Sequence, residues 1–366
     1  MQAVRWHGRR DIRVEQVAAP AAAPPGWVRI RVEACGICGT DVEEFRDGPL
    51  AVPLTPNPLS GRCAPLTLGH ETVGVVVEAG DGVAIEPGTR VAVEGNMTCG
   101  TCFWCLRGTY ALCPMLATLG QQADGGLAEE MLAPAYLCVP YSDHLPADTA
   151  ALAEPLSVAV RAIQRAGIGP GSSVAVIGAG SIGLLIVQAA RIAGAETIVA
   201  VEHHEHRRSL ATLLGATAAV APEDAAELAD DLTSGIRFDA TLEAAGNARA
   251  ARAAIDLARK GGRSVLLGVY DDAISIPMLQ FLLGEKEIYA SLSHTHDGDF
   301  PEAVRLLNDG AVDVSPLVSD RIALTDVVAG GFEELLAHPE QHLKILVYPN
   351  GVPEAEPLLE QGAQAR

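Results

Sequence analysis

Residues 174–183 are Val174-Ala175-Val176-Ile177-Gly178-Ala179-Gly180-Ser181-Ile182-Gly183. The first four form a short apolar run with the length of a buried strand, and a helical pattern follows from Ser181 until Gly194 ends it. Between these elements the glycines form Gly-x-Gly-x-x-Gly. Glycine there allows a tight turn, close approach of a pyrophosphate to the backbone, and helix–strand packing. The stretch therefore predicts a strand–turn–helix unit that binds a dinucleotide.

Strand and helix patterns continue to alternate on the C-terminal side of this unit. Strands are predicted at 197–201, 240–244, 264–269 and 288–292, with helices ending at Leu214 and Lys260. Residues 1–155 instead carry short β patterns, such as 27–32, 72–78 and 90–93, separated by glycine and proline. We therefore predict an α/β plus β chain, with a barrel-like β part and a doubly wound parallel sheet of the Rossmann type. Residues 354–366 are predicted to be a loose tail.

The type of dinucleotide depends on Glu202, which ends the second strand nineteen residues after Gly183. A carboxylate there can bind both ribose hydroxyls and would repel a 2′-phosphate, so NAD is favoured over NADP. The neighbouring Arg207 and Arg208 are cationic and keep NADP open. The free N–H groups at the helix N-terminus suit the phosphates. The predicted cofactor contacts in this region are Gly178, Gly180, Ser181, Ile182, Gly183, Glu202 and Arg207.

Four cysteines lie within fifteen residues, in the pattern Cys99-x-x-Cys102-x-x-Cys105-x₇-Cys113. Four thiolates can close a tetrahedral zinc site that leaves no position for water, so its role should be structural. An iron–sulfur cluster also uses four cysteines, and the spacing alone leaves that alternative open. Zinc is favoured because nothing else in the sequence indicates electron transfer.

A second metal site is indicated by three separate pieces, Gly36-Ile37-Cys38-Gly39-Thr40-Asp41, Gly69-His70-Glu71 and Glu154-Pro155-Leu156. Together they offer the mixed donors of a catalytic zinc that keeps one position for water or substrate. Cys35 and Cys38 also match a redox Cys-x-x-Cys. No helical pattern is recognised after them, which favours a core role for Cys35.

Composition limits the class of partner and the compartment. The formal net charge is −20 with a pI near 4.8, which disfavours binding to nucleic acid. Neither a signal peptide nor a stretch of membrane-spanning length is found, so no membrane partner is expected and the cytoplasm is the default compartment. The 366 residues suffice for two domains.

These motifs, in this order, resemble the zinc-dependent medium-chain dehydrogenase/reductase superfamily over nearly the full length. Asp47-Gly48-Pro49, the stretch 56–69 and the endings 331–336 and 344–347 look like 2,3-butanediol dehydrogenases, with sorbitol dehydrogenases next. The resemblance implies a GroES-like catalytic domain at 1–157 and 294–366 and a Rossmann domain at 158–293. It also implies two zinc ions per chain, NAD, a small-molecule substrate and a homodimer or homotetramer.

The resemblance carries residue roles to matching positions. Cys38, His70 and Glu154 would surround the catalytic zinc, and Glu71 would be either a ligand in exchange with water or a group beside the ligands. Thr40 would take the proton of a secondary alcohol whose hydride passes to NAD. The backbone at Gly268, Val269, Leu292 and Ser293 would hold the nicotinamide carboxamide.

One departure leaves the substrate open. Glu43 stands where the butanediol and sorbitol enzymes usually carry a histidine that ends the proton relay through Thr40. A carboxylate can also accept a proton, and a solvent-facing loop carboxylate is an equal alternative. Gly-Thr-Asp-x-Glu also occurs in glucose dehydrogenases, so an aldose dehydrogenase that forms a lactone is the rival to a diol or polyol dehydrogenase. A non-catalytic NAD- and zinc-binding protein is the third hypothesis. His294 and His296 follow the last sheet strand, and we expect one of them to touch substrate.

Overall fold

The computed structural model describes residues 1–270 and 272–353, and the tail predicted at 354–366 lies outside them. The N-terminal part consists of short strands separated by turns. These strands are β1 (Gln2–Gly8), β2 (Asp11–Gln16), β3 (Trp27–Gly36), β4 (Leu66–Thr67), β5 (Glu71–Ala79), β6 (Arg90–Val93), β7 (Asn96–Met97), β8 (Ala117–Thr118), β9 (Glu130–Pro134) and β10 (Cys138–Pro140). The helices here are α1 (Gly39–Asp47) and α2 (Ala147–Ala150), with 3₁₀ turns at Cys105–Arg107, Tyr110–Leu112 and Ala135–Leu137.

A longer helix, α3 (Ala153–Ala166), leads into the alternating part of the chain. Its strands are β11 (Ser173–Ile177), β12 (Thr197–Val201), β13 (Ala218–Val220), β14 (Phe238–Glu243), β15 (Ala258–Leu266) and β16 (Glu287–Ala290). Its helices are α4 (Ser181–Ile192), α5 (Glu205–Leu213), α6 (Ala225–Thr233), α7 (Ala248–Leu257) and α8 (Met278–Leu283). The strands pair in parallel in the order β13-β12-β11-β14-β15-β16. The order reverses at β11, where doubly wound sheets bind ligands, and the predicted Rossmann sheet is confirmed.

The chain then returns to the N-terminal sheet. The last elements are α9 (Asp299–Asn308), β17 (Val318–Ala323), α10 (Glu334–Ala337) and β18 (Lys344–Tyr348), with 3₁₀ turns at Ser315–Leu317 and Leu324–Asp326 and a π-helical segment at Val327–Glu333. Strand β18 pairs with β3 in a sheet of order β10-β6-β5-β3-β18-β17, and β9 also pairs with β3. The predicted boundary after residue 157 falls inside α3, and the domain division stays a prediction. Among the described residues, no helix is long and apolar enough to cross a membrane.

One hydrophobic core connects the two sheets. Leu156 of α3, Leu184 of α4, Phe300 of α9 and Leu346 of β18 belong to the same cluster and are at most 1% exposed. Complete burial of such side chains stabilises the fold by about 1.5–3 kcal/mol each. Since α3 lies in this core, its first turn, which carries Glu154, is held firmly against both sheets.

Two local predictions are wrong. Helix α7 ends at Leu257 rather than Lys260, because Ala258 already pairs with Phe238 in the parallel sheet. A helix does follow Cys38, since α1 begins at Gly39 with Cys38 as its N-cap. Its helical pattern is obscured because the buried face of α1 consists of two carboxylates and one aromatic residue, Asp41, Glu44 and Phe45.

Candidate active site

Three of the predicted metal ligands converge from two separate stretches of the sequence. Cys38, His70 and Glu71 each offer one donor atom, and these atoms all lie within 4.8 Å of one another. Strands β3 and β5 bring them together, because Gly36 at the end of β3 lies opposite Glu71 at the start of β5. A Cβ atom at Gly36 would overlap the Glu71 carboxylate, so glycine leaves room for this carboxylate in its observed position.

Negative groups surround His70. Asp41 accepts a hydrogen bond from the Cys38 N–H (3.0 Å), and its other oxygen lies 3.4 Å from His70 Nδ1. Burial opposes a charged imidazole, but the Asp41 carboxylate and the Cys38 sulfur together raise the pKa of His70 well above its ordinary value. A cluster that favours positive charge in this way is electrostatically suited to a cation.

Glu71 is held by a lysine that the sequence interpretation missed. Lys344 Nζ lies 2.5 Å from Glu71 Oε1 and donates to the Ile37 carbonyl (3.1 Å), and both charged side chains are at most 5% exposed. Burial raises the pKa of Glu71, while its negative charge raises that of Lys344 against the effect of burial. Glu71 Oε2 is buried and has no hydrogen-bond partner among the described residues, which leaves this oxygen available to a metal. The sequence feature that could have indicated this contact is a lysine at the start of the otherwise apolar strand β18.

Glu154 lies beside this set and is not part of it. It is in the first turn of α3, lines the same cavity, and accepts a hydrogen bond from His294 Nε2 (3.0 Å). Burial acts to raise the pKa of Glu154, but His294 lowers it below its ordinary value. The geometry therefore brings Glu71 rather than Glu154 next to Cys38 and His70. The ligand roles of both carboxylates stay predictions.

The four-cysteine lobe has the geometry of a closed sulfur site. The sulfur atoms lie 3.4 Å (Cys102–Cys105), 3.6 Å (Cys99–Cys113) and 4.0 Å (Cys99–Cys105) apart. Tetrahedral zinc with Zn–S bonds of about 2.3 Å requires sulfur separations of about 3.8 Å. Backbone N–H groups of Thr101 and Cys102 lower the pKa of Cys99 to about 6, which favours its thiolate. These four residues fit a structural zinc.

A cavity of about 650 Å³ joins the mixed donor set to the carboxyl ends of the parallel strands. Exposed apolar side chains at those strand ends, Val269 (65%) and Leu292 (57%), form part of its wall. An apolar wall beside a polar donor set suits a flat ring such as nicotinamide. The predicted site residues that line the cavity are Cys38, Thr40, Glu43, His70, Glu71, Glu154, Gly180, Ser181, Ile182, Val269, Leu292 and Ser293.

The remaining predicted glycines shape the loops behind the cavity. Gly178 has φ +96° and donates its N–H to the Val201 carbonyl (2.8 Å), so the turn needs a glycine. A Cβ at Gly183 would overlap the Gly178 carbonyl, and a Cβ at Gly268 would overlap Gly246. At Gly180 a Cβ would meet nothing within 4 Å, which leaves open space above the N-terminus of α4. This open space fits a pyrophosphate.

Glu202 and Arg207 do not line the cavity. The Glu202 carboxylate accepts the backbone N–H groups of Ala179 (2.8 Å) and His204 (2.9 Å). Burial opposes its ionisation, but these hydrogen bonds lower the pKa of Glu202. Arg207 donates to the carbonyls of Pro339 (2.6 Å) and His342 (3.2 Å). The ribose and cofactor roles of both residues stay predictions.

Known proteins match this fold and site over nearly the whole chain. Residues 24–143 match the family described as alcohol dehydrogenase GroES-like domain, and residues 181–309 match zinc-binding dehydrogenase. The (R,R)-butanediol dehydrogenase of Bacillus subtilis (strain 168) is 34% identical over 96% of this chain and 100% of that protein. The sorbitol dehydrogenase of the same organism is 31% identical over 96% and 98% of the two chains. A crystal structure of a zinc-binding dehydrogenase from Sinorhizobium meliloti 1021 bound to NADP has a TM-score of 0.85 and 33% identity, covering 95% of this chain and 99% of that one.

The chain therefore belongs to the zinc-dependent medium-chain dehydrogenases, which join a GroES-like domain to a Rossmann-type sheet. Within that family it is a zinc-dependent alcohol dehydrogenase, similar to butanediol and sorbitol dehydrogenases. The predicted family, fold class and enzyme class are confirmed, and the hypothesis of a non-catalytic binding protein is set aside.

Proposed function

We propose that this enzyme oxidises one secondary hydroxyl of a vicinal diol or polyol to a ketone, or catalyses the reverse, with NAD. The observation that carries the proposal is the cavity shared by the donor set and the cofactor loops. Its wall also contains amide and hydroxyl groups: Gln121 donates to Thr40 Oγ1 (3.3 Å), and Thr118 donates to Asn96 Oδ1 (2.8 Å). Such a wall can bind a second hydroxyl of the substrate, which fits the substrates named for the butanediol and sorbitol relatives.

The donor set fits zinc in composition and in charge. One thiol, one imidazole and one free carboxylate oxygen leave a position open to the cavity, as catalytic zinc sites do. A zinc ion held by Cys38, His70 and one of Glu71 and Glu154 would supply Lewis acidity to the alcohol oxygen. A second zinc in the four-cysteine lobe would be structural.

Helix α1 supplies a route for the substrate proton. Thr40, Glu43 and Arg46 recur every three residues on one face of the helix, and all three line the cavity. Thr40 would take the proton at Oγ1, and Glu43 is the next acceptor toward the exposed Arg46. Burial raises the pKa of Glu43, which brings this carboxyl closer to the pH at which a general base works best.

For the cofactor we propose NAD, with Glu202 turning from its backbone contacts toward the ribose hydroxyls. The similar zinc-binding dehydrogenase from Sinorhizobium meliloti was solved with NADP bound, so NADP is the alternative cofactor. Initial rates with each cofactor at saturating alcohol test the choice. We expect NAD to be preferred, and Glu202→Ala to reduce that preference by about tenfold, the effect of one charged contact. Equal use of both cofactors by the unaltered enzyme would contradict the proposal.

The substrate class is tested by NADH formation with the zinc-loaded enzyme and a panel of 2,3-butanediol isomers, erythritol, sorbitol and glucose. Turnover of diols or polyols, with the hydroxyketone as product, is the expected result. Preference for glucose, with a lactone as product, would replace the proposal by the aldose dehydrogenase. Glu43→Gln is the informative variant, because it keeps the shape but removes the proton acceptor. Cys38→Ser controls for contaminating activity, and a panel without any turnover would refute both hypotheses.

We also propose a cytoplasmic homodimer or homotetramer. All eight cysteines are free thiols in the structure, as a reducing compartment requires. In the part of the chain that the structure describes, strand β16 ends the parallel sheet with one side unpaired. The adjacent α8 exposes Leu279, Leu282 and Leu283 at 65–70%. An open strand edge beside an apolar helix suits a second copy of the chain. Light scattering during gel filtration measures the assembly, and a monomer would contradict this proposal.

A further inference from the structure

His294 is buried between two glutamates at the junction of the two sheets. Its side chain is 1% exposed, with Nε2 3.0 Å from Glu154 Oε1 and Nδ1 2.8 Å from Glu94 Oε1. The first contact is a hydrogen bond, and the second is an ion-pair distance without hydrogen-bond alignment. Glu94 directly follows β6 and Glu154 is the second residue of α3, whereas His294 follows the last parallel strand. One imidazole therefore connects the N-terminal sheet, which contains β6, with helix α3 and with the parallel sheet, which contains β16.

The backbone around His294 keeps the ring in this place. Ser293 has φ +55°, a conformation that costs a non-glycine residue free energy and needs support from its surroundings. That support comes from Asn96, whose Nδ2 donates to Ser293 Oγ (2.8 Å). On the other side, Arg161 of α3 donates to Asp299 Oδ2 (3.2 Å). The segment that carries His294 is thus fixed both to β7, which carries Asn96, and to α3, which carries Arg161.

Both ring nitrogens face carboxylates rather than substrate space. His294 lies in the cavity wall, but its nitrogens are directed at Glu154 and Glu94. His296 packs against Tyr110 and Tyr136, with ring centroids 4.3 and 5.3 Å apart, and is absent from the residues that line the cavity. The contact of one of these histidines with substrate stays a prediction, and His294 is the one that lines the cavity.

We propose that His294 is a positioning residue that sets how far Glu154 stands from the metal-binding set. This inference rests on the proposed function, since it assumes that Cys38, His70 and one of the carboxylates of Glu71 and Glu154 hold the metal. Glu154 lies beside those donors, and the hydrogen bond to His294 holds one of its oxygens. The same imidazole follows Leu292 and Ser293, the predicted carboxamide contacts. A cofactor that moves this segment therefore moves Glu154.

Two variants separate the contacts of the imidazole. The amide nitrogen of glutamine can occupy the place of Nε2, so His294→Gln keeps a donor toward Glu154. The amide nitrogen of asparagine reaches only the place of Nδ1, so His294→Asn keeps a donor toward Glu94 and loses Glu154. His296→Asn is the control for a nearby histidine outside the proposed contact.

The main measurement is the rate at which zinc passes from the loaded enzyme to a coloured chelator, with and without NAD and without any alcohol. A second is the visible spectrum of the cobalt-substituted enzyme, which reports ligand geometry. Loss of an outer partner of a ligand typically costs 10–100-fold in metal affinity or activity. We expect His294→Asn to release zinc about tenfold faster, to lose about tenfold in kcat and to lose the NAD-induced spectral change, with KM altered less. His294→Gln and His296→Asn should resemble the unaltered enzyme.

Three outcomes would overturn the proposal: zinc release and spectra unchanged in His294→Asn, equal losses in both His294 variants, or a lowered Tm as the only effect. Equal losses would assign the residue to structural support of the junction. Faster zinc release in His294→Asn alone, from an enzyme that turned over no alcohol in the panel, would support the proposal although the proposed function had failed.

Discussion

The two proposed metal sites differ most in how their candidate ligands are distributed along the chain. The lobe offers four cysteines within fifteen residues, whereas the mixed site offers the donors of Cys38, His70 and Glu71, with Glu154 further on. The lobe can therefore form by local folding of one loop. The mixed site requires β3, β5 and α1 to be in place, and β18 must be paired so that Lys344 reaches Glu71.

The difference in ligands matches the difference in role. Four sulfurs complete a zinc coordination shell and leave nothing for substrate. At the mixed site, a buried oxygen of Glu71 has no hydrogen-bond partner within the described part of the chain, and a cavity reaches the donors. A local, closed site can stabilise a loop, whereas a dispersed, open site makes catalysis depend on the whole fold. Variants of the two sites should therefore affect different properties: stability for the lobe and activity for the mixed site.

Cys38→Ser should produce the largest effect of these variants, a loss of activity with little change in stability. A serine hydroxyl is a poor zinc ligand, so the mixed site loses its metal and about 10³-fold or more in kcat/KM, which corresponds to several kcal/mol of transition-state stabilisation. Metal analysis should find one zinc per chain in the variant, with Tm nearly unchanged. Cys63→Ser, a half-buried thiol outside both sites, is the control. Full activity in Cys38→Ser would contradict the role given to the mixed site.

Lys344→Met should affect stability strongly, because it leaves a buried carboxylate unpaired. Removing one partner of a buried ion pair costs about 3 kcal/mol, measured by denaturant unfolding of the zinc-loaded enzyme. Burial raises the pKa of Glu71. Without the lysine, the folded chain therefore binds a proton on Glu71 more readily than the unfolded chain does. The charge of Lys344 lowers the pKa of Glu71, so its removal raises this pKa above the already raised value of the unaltered enzyme. The deficit relative to the unaltered enzyme should therefore grow as pH rises between these two folded-state values. A deficit independent of pH would show that Glu71 is not the group involved, and adding Glu71→Gln should recover part of the loss.

The same contrast explains how much could be predicted from the sequence. Cysteine spacing within one loop is visible directly, so all four lobe residues could be named. The glycine turn is equally local, and strand β11 and helix α4 were predicted from it within one residue at their ends. The mixed site was indicated by its donor types, but the grouping of its residues needed a resemblance, because no local pattern places Cys38 beside His70.

The missed contacts are those made between distant elements. Lys344 and Glu71 are 273 positions apart in sequence, and nothing near either residue indicates a partner. His294 was singled out by its position after a strand, but its partner Glu154 lies 140 positions away and is not indicated by any pattern near His294. Helix α1 was missed because carboxylates occupy its buried face, where periodicity analysis expects apolar side chains.

Cys102→Ser should affect the lobe and leave the chemistry of the mixed site intact. Three remaining sulfurs hold zinc less tightly, so we expect one zinc per chain and a Tm lower by roughly 5 °C, since about 2 kcal/mol shifts a chain of this size by several degrees. Activity per mixed-site zinc should stay within about twofold below that temperature, because the two sites share no ligand. A variant that remains folded but loses activity in proportion to its lobe zinc would contradict the independence of the two sites.

Cys35→Ala should have the smallest effect, and it decides whether Cys35 and Cys38 act as a redox pair. The Cys35 thiol is fully buried and lies 3.4 Å from Thr72 Oγ1. Burial raises its pKa to about 12, so thiolate is nearly absent at neutral pH and exchange with disulfides should be slow. We expect the variant to keep its activity within about twofold and to lose about 1 kcal/mol of stability, the typical cost of a small core truncation. The measurements are the alcohol-oxidation rate before and after mild oxidation and the number of thiols that react with an alkylating reagent. If oxidation inactivated the unaltered enzyme but not Cys35→Ala, Cys35 would take part in catalysis and would have to be counted among the residues of the mixed site.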